Sequence, residues 1–93
     1  MISIEICIEA SDAAAVEQAV SAAYRGGAAT IELCAAMHLD GLTPSQDCIA
    51  AARRAFESRP GLMVMIRPRA GDFCYSPAEL ALMLEQIDAA AAG

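Results

Sequence analysis

Several common carriers of function are missing from this sequence, and each absence narrows what the chain can do. There is no Cys-x-x-Cys pair of the kind that holds zinc, and no glycine-rich loop of the Rossmann or Walker type to cradle a phosphate. No apolar run is long enough to span a bilayer, so a membrane is not an expected partner. Basic residues are scarce, six against twelve acidic ones, for a formal charge of -6. They are not gathered into one patch, and most of such a surface would repel a polyanion, so nucleic acid is not expected either. Only 19% of the residues are charged while 57% are hydrophobic, which argues against disorder. Nothing resembling a secretory signal precedes the first strand pattern. The four cysteines are therefore expected to be reduced thiols of a cytoplasmic protein, not a disulfide framework.

What is present is an alternation of strand and helix signals. In residues 2–8 the isoleucines Ile2, Ile4, Ile6 and Ile8 alternate with Ser3, Glu5 and Cys7, which predicts a strand with one apolar face. Ser11 or Asp12 is placed to cap a helix that runs to about Arg25 and stops at Gly26-Gly27. A second strand is expected over residues 28–34. Its Ile31-Glu32-Leu33-Cys34 echoes Ile4-Glu5-Ile6-Cys7, a short internal repeat at strand-helix-strand spacing. Residues 35–42 read as a loop. Thr43-Pro44-Ser45-Gln46 then offers a threonine cap, a proline at the first helical position and a glutamine for a capping box, opening a helix with Ile49, Ala52 and Phe56 on one side. After the Pro60-Gly61 break, residues 62–66 predict a third strand. Ser76-Pro77-Ala78-Glu79 opens a third helix, with Leu80, Met83, Leu84 and Ile87 as its expected buried stripe.

Crossovers of this length imply parallel pairing with right-handed connections. Each strand carries Ile, Leu or Val on one side and Glu, Cys, Met or Arg on the other, where a doubly wound sheet would be apolar on both. That asymmetry predicts an α/β fold of the closed-barrel kind: three βα units with a parallel sheet, forming part of a TIM (β/α)8-type barrel.

The chemistry-bearing residues collect on the polar side and just beyond the third strand. Glu5, Glu32 and Arg67 are expected to share one face, with Cys7 and Cys34 at matching positions nearer the mouth. Strands about 4.8 Å apart would let two such thiols share one soft ion, for which Cu(I) is the natural candidate, or the thiols are inert core fillers. Glu5 and Glu32 are either a catalytic acid and base or partners for the arginines. Arg67 and Arg69 are spaced to grip a planar anion together, such as a small carboxylate or phosphate metabolite. In the alternative they pair with nearby carboxylates and hold a loop. Asp72 is placed to orient Arg69 or accept backbone amides, Cys74 either packs under the loop or is a third thiol for copper, and His38 reads as a solvated loop residue. By alternation Met63 and Met65 face the same side as the carboxylates, where thioethers are further donors for Cu(I) or, in the alternative, a methionine stripe of the core.

Glu32-Leu33-Cys34-Ala35-Ala36, Gly41-Leu42-Thr43-Pro44-Ser45 and the twelve-residue run Met65-Ile66-Arg67-Pro68-Arg69-Ala70-Gly71-Asp72-Phe73-Cys74-Tyr75-Ser76 resemble, from Ile66 on in the last of them, signature segments of the CutC family of copper-homeostasis proteins. The resemblance implies a TIM-type barrel, a cytosolic setting and a role in handling copper. It implies Cu(I) ligands at Cys7 and Cys34, and an enzyme-like pocket at the glutamate and arginine positions. Relatives often have glycine where this chain has Ala70. A whole barrel takes about 250 residues, so residues 1–93 are expected to be its N-terminal portion. Open sheet edges would then favour self-association, and an inactive remnant is a further possibility.

Overall fold

The asymmetry between the strand faces decides where the helices settle. The structure, a computed structural model, describes residues 3–92. Three strands, β1 (Glu5–Glu9), β2 (Thr30–Cys34) and β3 (Leu62–Val64), alternate with three helices, α1 (Ala13–Arg25), α2 (Gln46–Ala55) and α3 (Pro77–Ala92). The sheet is parallel throughout, in the sequential order β1-β2-β3. Ile8, Ile31 and Leu33 point to one side, where they join Val16, Val20 and Ala23 of α1 and Ile49, Ala52 and Phe56 in a single buried core. Both helices therefore cover the same face. Sequential parallel strands with the helices on one side are the architecture of a partial (β/α)8-type barrel. The opposite face is open. No helix among the described residues is long and apolar enough to cross a membrane.

The caps explain the element ends. Asp12 accepts from the Ala15 amide at 2.8 Å and starts α1. Ser76 and Glu79 form a reciprocal capping box on α3: the Ser76 hydroxyl accepts from the Glu79 amide, and the Glu79 carboxylate accepts from the Ser76 amide. At α2 the sequence expectation needs correcting. Ser45, not Thr43, is the cap, accepting from the Cys48 amide at 3.3 Å. The Thr43 hydroxyl is engaged elsewhere, accepting from the Arg67 amide at 2.7 Å and donating to Gln86 of α3 at 2.9 Å. Ile2, expected to open the first strand, lies outside the described residues.

The stripe on α3 is the second correction. Leu80, Leu84 and Ile87 are exposed, Leu84 to 65%. The helix is tied to the body by Thr43–Gln86, by Gln46 donating to the Ala89 carbonyl at 3.0 Å, and by Ala90 against the core. Leu82 is exposed as well, while Met83 is half-buried. At the other edge, Ile4, Ile6, Ala19 and Ala22 line an apolar groove of about 360 Å³ beside β1.

Candidate functional site

The open face is laid out in rows by the strand register. Cys7 is level with Glu32, and Glu9 is level with Cys34; Glu5 is level with Thr30. On the far side Glu32 is level with Met63. The expectation that Cys7 and Cys34 occupy matching positions is therefore wrong by two residues. The thiols share a face but stand diagonally, one row apart. Glu5 and Glu32 are offset in the same way. A shift of two preserves every side chain's face, which is why alternation alone could not detect it.

Cys34 is buried, 6% exposed, and Cys7 is exposed. Burial raises the Cys34 pKa above the ordinary thiol range, and the nearby charges of Glu32, Cys7 and Glu9 push it the same way. The apo thiol thus holds its proton at neutral pH. Because the folded value is raised, the associated stability is complete below the ordinary thiol pKa and is lost as pH rises through the Cys34 value. Those same influences place Glu9 beside the thiols. The strand expected over residues 2–8 stops one residue short of Glu9, although the alternation continues through it. Its carboxylate also accepts from the Met37 amide at 2.9 Å, at the start of a short 3-10 turn, Met37–Leu39. His38 is exposed in that turn.

Arg67 lies beyond the end of β3 and is 5% exposed. Its guanidinium does not meet Glu5 or Glu32. Nη1 donates to the carbonyls of Leu39 at 2.9 Å and Gly41 at 3.3 Å, and Nη2 to Gly71 at 2.8 Å, while the Phe73 ring stacks on it at 4.9 Å. Nε–H has no acceptor among the described residues. Arg69 serves a separate set of acceptors. It is ion-paired with Glu79 and Asp72 and donates to the Cys74 carbonyl at 2.7 Å. Pairing with Arg69, and secondly the Ser76 amide, lowers the Glu79 pKa; the Glu79 hydrogen bond in turn raises that of Arg69. Asp72 both pairs with Arg69 and accepts from the Cys74 amide at 3.1 Å. Arg69 is thus paired with carboxylates, as the second sequence reading has it, whereas Arg67 holds loops through carbonyls, which neither reading has; Cys74 is exposed with its backbone contacts inside its own loop.

Among the described residues, no three of His, Cys, Asp and Glu are grouped so as to hold a metal ion. Such a donor set poorly suits an ion needing four ligands.

The sequence profile described as the CutC family matches residues 2–93. The chain belongs to the CutC family. It is 45% identical over 91 residues to a CutC family protein of Rhizobium meliloti, covering 96% of this chain and 33% of that protein. Over 74 residues it is 50% identical to a CutC family protein of Erwinia tasmaniensis, covering 77% of this chain and 28% of the other. A crystal structure of CutC from Streptococcus agalactiae, provisionally described as a copper homeostasis protein, superposes with a TM-score of 0.79 at 32% identity. The match covers 99% of this chain and 41% of that one. The chain spans about a third of the length of the curated CutC relatives it matches.

Proposed function

We propose that this chain binds Cu(I) as cargo through the thiolates of Cys7 and Cys34, in a cytoplasmic setting that keeps both reduced. One observation carries the reading: the two thiols sit in adjacent rows of the same open face, Cys7 level with Glu32 and Cys34 level with Glu9. Family membership supports a link to copper, and thiolates are the donors that select Cu(I). Both sulfurs must be deprotonated to bind, so the metal displaces the Cys34 proton and apparent affinity should rise with pH.

Competition titration of the reduced protein with Cu(I) and a chromophoric chelator tests this. Cys7→Ser and Cys34→Ser should each weaken binding by at least about tenfold, or about 1.4 kcal/mol, and wild-type affinity should climb between pH 6 and 8. Unchanged affinity in both variants would remove the proposal. A pocket for a small anionic metabolite, with Glu5 or Glu32 as acid or base and Arg67, Arg69 and Asp72 as the clamp, has weaker support. The donors of both arginines already face loop carbonyls and carboxylates.

We also propose self-association. The free edges of β1 and β3, the groove beside β1 and the exposed face of α3 leave apolar surface and unpaired strand edges open. Sedimentation at high concentration should show species larger than a monomer. A monodisperse monomer would contradict it.

A further inference from the structure

We infer that Met65 supplies a third sulfur donor, so that Cu(I) is held by two thiolates and one thioether. This rests on the Cys7–Cys34 reading above and refines it. Leu33 is level with Val64, the last pair of the sheet, closed by the Met65 amide donating to the Leu33 carbonyl at 2.9 Å; Cys34 and Met65 are the residues that follow this pair on each strand, on the open-face side of the alternation. Glu9 and Cys34 make the third row of the open face, and Met65 follows on its β3 side. Met65 thus directly follows the strand next to that of Cys34, at the level just past the last pair, whereas Cys7 is one row away on the other side.

Gly41 provides an independent observation. Its φ of +91° is one that glycine adopts freely, and a Cβ built there would lie 3.7 Å from Cys34 Sγ and 3.4 Å from Met65 Cε. Thiol and thioether methyl border the same atom-sized space, which a side chain at position 41 would fill. Arg67 holds the loop in that position through the carbonyls of Leu39 and Gly41. The thioether also suits the electrostatics. Beside Glu9 and Glu32, two thiolates already add negative charge, and a neutral third donor adds none. Met63, the other methionine on this face, is level with Glu32 and exposed, which makes it the natural control.

The test is Cu(I) competition titration of reduced Met65→Leu and Met63→Leu proteins, a substitution that conserves apolar volume. It is joined to copper-edge X-ray absorption of selenomethionine-labelled protein. Met65→Leu should weaken binding about tenfold and abolish the copper–selenium scattering seen in the parent, while Met63→Leu changes neither. If the cysteine variants lose copper but Met65→Leu keeps parental affinity, or copper–selenium scattering survives in it, the third donor is overturned and the two-thiolate site stands. If the cysteine variants keep their copper, the underlying reading fails instead.

Discussion

Arg67→Met is expected to lower folding stability by about 3 kcal/mol, measured as a shift of the urea midpoint at unchanged slope. The cause is specific. Three carbonyls, Leu39 and Gly41 from the β2–α2 loop and Gly71 from the β3–α3 loop, take their hydrogen bonds from one buried guanidinium. Methionine fills much of the volume but donates nothing, so each carbonyl must reach water or stay unpaired at about 1–3 kcal/mol. Relief from burying a charge without a carboxylate partner offsets part of that cost. A domain of this size is held by roughly 5–10 kcal/mol, so the variant should stand near the edge of folding. Arg67→Lys keeps the charge but not the fork, and should fall between the two. A loss under about 1 kcal/mol in Arg67→Met would show that the loops do not depend on this residue. The same variant should weaken Cu(I) binding, because Gly41 would no longer be fixed above Cys34.

Gly61→Ala should be comparably damaging, at about 3 kcal/mol, for a backbone reason. Gly61 has φ +107°, and a Cβ there would lie 2.4 Å from the Ala29 carbonyl oxygen, a contact with main chain that no side-chain rotation can relieve. Its own carbonyl accepts from the Ile31 amide at 2.9 Å, the bond that brings β3 against β2. Moving residue 61 to make room therefore opens the sheet at its last strand. Gly27 separates strain from clash. It also has positive φ, +84°, but nothing lies within 4 Å of its Cβ position, so Gly27→Ala should cost only about 1 kcal/mol. Equal losses in the two variants would mean that the close approach to Ala29 is not what selects glycine at position 61.

Much of the fold could be read from local pattern, because local pattern is what builds it. The isoleucine alternation placed β1, Asp12 and Gly26 bounded α1, and Ile49, Ala52 and Phe56 proved to be core. The misses share one physical origin: each depended on a partner distant in sequence. Thr43 looks like a cap until Arg67 and Gln86 claim its hydroxyl. The α3 periodicity identifies an apolar side but cannot supply an element to cover it. Arg67 at the end of an apolar run announces a buried or functional cation. That its acceptors are carbonyls from two loops, not the carboxylates of β1 and β2, is a property of the assembled sheet. The offset between Cys7 and Cys34 belongs to the same class, since turns and alternation fix facing but leave even-numbered slips open.

The relative level of the two strand cysteines underlies both the proposed copper site and the role given to Met65. Hydrogen-bond scalar couplings measured on the reduced, isotope-labelled chain report it directly. The Ala10 amide should couple to the Cys34 carbonyl, and the Met65 amide to the Leu33 carbonyl, matching donor–acceptor distances of 2.7 Å and 2.9 Å. Coupling of the Cys34 carbonyl to the Ile8 amide instead would set the thiols side by side and contradict this account.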